Sequence, residues 1–111
     1  MKTKHLAVLI LILAVAGFIL VPSLSWAGDE AASLYKTKCA ACHGVDGAGK
    51  PAAKIPSLIS DEAKNATDAT LTDGIANGGI SKKPSHAFQA KGLNPDQVKM
   101  IVSYIRELQK K

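Results

Sequence analysis

The sequence predicts an all-α domain behind a short apolar leader. Three observations carry that expectation. Val98, Ile101, Val102, Ile105 and Leu108 recur at helical spacing along one stripe. Asn77-Gly78-Gly79 offers the left-handed residues that end helices. No stretch alternates apolar and polar residues as a strand does, and no segment repeats.

The leader comes first. Lys2 and Lys4 precede an apolar run from Leu6 to Val21, and Pro22 leads to Ser23-Leu24-Ser25-Trp26-Ala27. Small residues at Ser25 and Ala27 mark residues 1–27 as an export signal cleaved after Ala27, leaving a domain at 28–111. An uncleaved anchor is the alternative, since the run approaches the roughly 20 residues that span a bilayer. The expected location is accordingly the periplasm or the outer face of the cytoplasmic membrane. No cysteine lies near the cut, which argues against a lipid anchor there.

Cleavage changes the composition. Of 14 basic residues 12 remain beside all 9 acidic ones, so the net charge falls from +5 to +3. That excess favours an acidic protein partner weakly and argues against nucleic acid. The 47% hydrophobic content is inflated by the leader. Only Tyr35, Phe88 and Tyr104 remain as aromatics, so the domain is marginal unless something else fills its core.

Glu30 to Lys38 reads as a helix, with Ala31, Leu34 and Tyr35 on its apolar side. Gly44 to Ser60 is loop-like, punctuated by Gly44, Gly47, Gly49, Pro51 and Pro56. A short helix follows from Asp68 to Asn77, with Leu71 and Ile75 one turn apart, and Ile80 to Gly92 returns to loop. Asn94 then caps the last helix, with Pro95 at its first position and Gln97 closing a capping box.

The strongest chemical signal is Cys39-Ala40-Ala41-Cys42-His43, whose spacing is that of covalent haem attachment. Two thiols one helical turn apart can each add to a haem vinyl group, and the following histidine reaches the iron. Other uses of C-x-x-C fit less well. A thiol-disulfide centre wants a βαβ context. A zinc site needs more ligands than His86, the one further histidine or cysteine of the domain, can supply. A disulfide across three residues would staple almost no chain.

With that pentapeptide in place, the domain resembles the class I monohaem cytochromes c from about Ala31 to Leu108. Tyr35 stands four residues before the first cysteine, and His43-Gly44 leads to Asp46-Gly47-x-Gly49. Pro56-x-Leu58, Ile75-x-Asn77-Gly78, a loop with Pro84, Phe88 and Tyr104-Ile105 follow in order. The resemblance implies a cytochrome c-like fold of three or more short helices around one covalent haem c. It implies thioethers at Cys39 and Cys42, His43 as the proximal iron ligand, and a Pro56 carbonyl that accepts from His43. It also implies that Ala31, Ala32 and Tyr35 pack on Ile101, Ile105 and Tyr104.

One position departs from the family. The methionine usually found before a proline ahead of the last helix is replaced by Lys83, in Ser81-Lys82-Lys83-Pro84-Ser85-His86. Met100 lies inside the last helix, away from its core stripe, and is a poor ligand candidate. Three readings of the distal side stand: His86 as ligand, Lys83 as ligand once desolvation depresses its pKa, or an open site.

The expected function is a one-electron carrier cycling Fe(III) and Fe(II), and not an enzyme, with non-methionine distal ligation. Axial ligands shift haem potentials across about 0.8 V, so the missing methionine bears on which redox proteins are partners. Lys50, Lys54, Lys82, Lys83 and Lys91 fall in loops suited to steering an acidic one. The alternative is an open-site haem protein binding a small ligand or acting as a weak peroxidase, although the domain's one arginine, Arg106, lies in the last helix.

Overall fold

The computed structural model describes residues 28–111. The export leader expected at 1–27 lies outside the described residues. Within them the chain is helical, as expected, and carries no strand. Helix α1 covers 28–38 and is followed by α2 (Ala40–His43), α3 (Asp61–Asn65), α4 (Asp68–Asn77) and α5 (Pro95–Gln109). Two single 3-10 turns, Pro51–Ala53 and Pro84–His86, interrupt the long loops. Lys50 and Ile55 form one antiparallel bridge, which closes the loop around the first turn.

Helix α5 is built as its sequence dictates. The Asn94 side chain accepts from the Gln97 backbone N–H at 2.8 Å, and Gln97 Oε1 accepts from the Asn94 N–H at 3.0 Å. Pro95 occupies the first helical position, where its missing N–H costs nothing. The apolar stripe faces inward: Val98, Ile101, Val102, Ile105 and Leu108 are all buried, Ile101 completely.

Against that stripe lie Tyr35 and Cys39 from the first helical segment, Ile75 and Ala76 from α4, and Leu93 from the preceding loop. The Tyr35 and Tyr104 rings meet 5.0 Å apart, within the range in which aromatic pairs add to simple burial. The Tyr35 hydroxyl, itself buried, donates to the Gly44 carbonyl at 2.7 Å. α1 is thereby tied to the start of the loop that follows α2.

Helix α4 starts at Thr67, whose hydroxyl accepts from the Thr70 N–H, and ends on Gly78 in the left-handed region. Its bounds are those read from the sequence. α3 is an addition: a single turn capped by Ser60 with Asp61 and Glu62 in its first turn, where carboxylates meet the positive end of the helix. Arg106 of α5 reaches across to it. The guanidinium donates to the carbonyls of Ala63, Lys64 and Ala66 and pairs with Asp68 at 2.9 Å. Arg106 thus satisfies the exposed end of α3 and pins the α3–α4 link onto α5.

Candidate haem-binding site

The cysteines stand where α1 gives way to α2. Cys39 breaks the helix, yet its N–H still donates to the Tyr35 carbonyl at 2.8 Å and its own carbonyl accepts from His43 N–H at 2.9 Å. This continuity puts Cys42 and His43 one turn beyond Cys39. Cys39 is buried, Cys42 is exposed, and both thiols are free. Burial pushes the Cys39 thiol up to about 11, with Cys42 adding to the effect. A thiol held protonated at neutral pH is a poor nucleophile, which argues against Cys39 as the attacking thiol of a disulfide exchange.

His43 is buried, and its Nδ1–H donates to the Pro56 carbonyl at 3.0 Å. A carbonyl only accepts, so this bond fixes the tautomer and leaves Nε2 with a free lone pair. Desolvation by burial lowers the pKa of His43, the Pro56 bond works in the opposite sense, and the nearby His86 lowers it further. The ring is therefore a neutral imidazole at pH 7, the form that binds metals.

Pro56 reaches His43 because of Gly49. A Cβ at Gly49 would stand 2.6 Å from the carbonyl oxygens of both Ile55 and Pro56, and its φ of +74° is strained for any other residue. The bridge between Lys50 and Ile55 closes around this contact.

Across from His43 stands His86, at the end of the second 3-10 turn. The two ring centroids are 6.0 Å apart and their planes cross at 78°. The Nδ1–H of His86 donates to the Gly74 carbonyl at 2.6 Å, so its Nε2 is free as well. The last turn of α4 takes up the whole loop in this way. Phe88 N–H donates to the Ile75 carbonyl at 3.0 Å and Gln89 N–H to the Ala76 carbonyl at 3.1 Å. Helix-terminal carbonyls have no partner within their own helix, and here three of them hold the loop carrying His86.

Gly78 permits the return of that loop. Its Cβ would meet the backbone N and O of Lys83 at 2.6 Å, at a φ of +83°. Lys83 is exposed and borders the same cavity as the two histidines. Met100, half-buried on α5, does not line it.

The cavity between the imidazoles measures about 260 Å³ and is walled by Leu58, Leu71, Ile75 and Ile105. Two larger hollows, of about 530 and 660 Å³, lie beside Arg106 and Asn77 but contain neither histidine nor cysteine. No group of three or more metal-binding side chains occurs among the described residues. Chemistry therefore concentrates in the smaller, apolar cavity.

These residues fit a haem. A metal–imidazole nitrogen bond is about 2 Å long, and adding the depth of each ring puts two imidazoles on opposite sides of one ion with centres roughly 6 Å apart. The observed 6.0 Å separation matches that span, with both Nε2 atoms left free. Apolar walls suit a porphyrin, and the two cysteines lie in the helical turn that leads into His43, outside the lining of the cavity itself.

The family model for cytochrome c matches residues 28–109. The chain belongs to the cytochrome c family, whose proteins hold haem c covalently and carry electrons between redox proteins. No curated protein matched the chain.

The Gly74 carbonyl, Phe88 packed on His86 and the two close-approach glycines are the site features that sequence reasoning missed. Gly49 and Gly78 were visible as turn residues, but which backbone each would meet was not.

Proposed function

We propose that this protein is an exported one-electron carrier whose haem iron is held between His43 and His86. The observation that carries the reading is the pair of imidazoles 6.0 Å apart, each with Nδ1 committed to a carbonyl and Nε2 free. Cys39 and Cys42 form the thioethers in this reading, and haem supplies the one-electron couple. The basic, apolar and small-residue order of residues 1–27 supports export.

The chain's own groups do the rest. The Pro56 and Gly74 carbonyls hold the two rings in place and increase their basicity. Rings pinned at Nδ1 move little when the iron changes charge, as fast electron transfer requires. Leu58, Leu71, Ile75 and Ile105 give the space between the rings apolar walls. Lys83 is exposed at the rim, whereas His86 is tied into the fold, and this favours histidine over lysine. Exposed Lys50, Lys54, Lys82, Lys83 and Lys91 give redox partners with acidic faces a docking field.

Absorption spectra of the haem-loaded protein test the ligation. The expected result is a low-spin ferric protein whose reduced form resists carbon monoxide. His86→Ala becomes high-spin and binds carbon monoxide, and Lys83→Ala stays as the parent. A high-spin parent overturns the reading, and a change confined to Lys83→Ala transfers the ligand role to lysine.

A further inference from the structure

Beyond which residues bind, the structure specifies how the two rings are turned. The His43 and His86 planes cross at 78°, and each is fixed by its own contacts. His43 is held by its place at the end of α2 and by the Pro56 carbonyl. His86 is held at Nδ1 by Gly74, while the Phe88 ring stands against it at 5.5 Å in an edge-to-face arrangement of 71°. Turning His86 about its Nε2 axis would break the first contact and drive the ring into the second.

Phe88 is itself anchored. Its N–H donates to Ile75, and the Lys91 ammonium sits 5.2 Å from the centre of its ring while donating to the Ser85 carbonyl at 2.7 Å. The arrangement runs from α4 through Gly74 and Ile75 to His86 and Phe88, and closes at Lys91.

We infer that Phe88 and the Gly74 carbonyl are positioning groups that hold His86 crosswise to His43, giving the iron two perpendicular imidazole planes. This rests on His86 being the distal ligand. An imidazole donates π density to the iron d orbital perpendicular to its own plane. Two parallel rings act on one orbital and separate it from its partner. Two crossed rings act on one orbital each and leave the pair almost equal in energy. The unpaired electron of the low-spin ferric ion is then shared between both orbitals, and its magnetic response becomes strongly anisotropic. Ligand orientation by surrounding groups is one of the levers a protein has on haem electronics.

Frozen-solution electron paramagnetic resonance of the haem-loaded ferric protein, recorded beside its absorption spectrum, tests this. The expected parent signal is one dominant, strongly anisotropic low-field feature on a low-spin absorption spectrum, lost in His86→Ala. Phe88→Leu keeps the apolar bulk but lacks the flat ring, so its signal shifts toward a three-line rhombic pattern while absorption stays low-spin. A low-spin parent with a rhombic three-line spectrum overturns the crossed geometry and leaves histidine ligation standing. A high-spin parent instead overturns the ligation itself. A Phe88→Leu spectrum identical to the parent removes Phe88 from the positioning role. The parent measurement needs no variant to fold.

Discussion

On the His43 side the imidazole stands on a helix and the carbonyl that holds it belongs to a loop. On the His86 side the roles are exchanged: the loop carries the imidazole and the end of α4 supplies the carbonyl. Both loops depend on a glycine whose Cβ would strike backbone, Gly49 for the first and Gly78 for the second. In each case a helix meets a loop at the histidine Nδ1. The difference lies in which partner is the helix. In the proposed ligation, a histidine bordered by the two cysteines leans on a loop, whereas a histidine with no neighbouring tether borrows its rigidity from a helix terminus.

The comparison breaks hardest at the two glycines. Gly49→Ala and Gly78→Ala each incur roughly 1–3 kcal/mol from the left-handed backbone alone, and the backbone contacts at 2.6 Å add to that. Gly78→Ala is expected to loosen the distal side selectively, measured as a rise in carbon monoxide binding by the reduced protein with proximal ligation kept. Gly49→Ala is expected to lower denaturation stability by at least as much without that selectivity. Equal behaviour of the two variants would erase the distinction between the sides.

A smaller effect separates the sides by pH. In the chain with free thiols, burial pushes the Tyr35 phenol up to about 12, with Cys39, Tyr104 and Asp46 adding to it. A neutral acid with a raised folded pKa contributes stability that is whole below the unfolded value of 10.0 and is lost as pH rises toward 12. About 2–3 kcal/mol is at stake over that window. Tyr35→Phe gives up the bond to Gly44, about 1 kcal/mol at neutral pH, and flattens the decline above pH 10 in denaturant titrations. An unchanged alkaline slope would remove Tyr35 as its source.

The smallest effects come from two lysines in matching places. Lys50 donates to the Ala41 carbonyl at 3.1 Å beside His43, and Lys91 donates to Ser85 beside His86. Both are exposed, so Lys50→Met and Lys91→Met are each expected to change denaturation midpoints by less than about 1 kcal/mol. A larger loss at Lys91 would show that the distal loop depends on its cation.

What the sequence reveals follows from how local each interaction is. Asn94, Pro95 and Gln97 act within one turn, and the stripe from Val98 to Leu108 repeats along one helix, so α5 reads directly. Gly78, within Asn77-Gly78-Gly79, ends α4 in the same way. α3 escapes because a single turn shows no apolar period, although Ser60-Asp61-Glu62 carried its start signal. The pentapeptide at 39–43 is contiguous and legible for the same reason. The proposed preference for His86 over Lys83 is not, because it rests on a carbonyl twelve residues away and on the path set by positive φ at Gly78, Gly79 and Lys82.

The end of α4 has a consequence for how the distal side opens. The carbonyls of Gly74, Ile75 and Ala76 are taken by the His86 ring and the N–H groups of Phe88 and Gln89. A loop that lets His86 go strands all three acceptors together, so departure is a cooperative event and not the flick of one ring. If His86 is the distal ligand as proposed, any small molecule competing for that position must wait for that collective opening, and the rate of capture is then set by the helix end rather than by the intruder's own affinity.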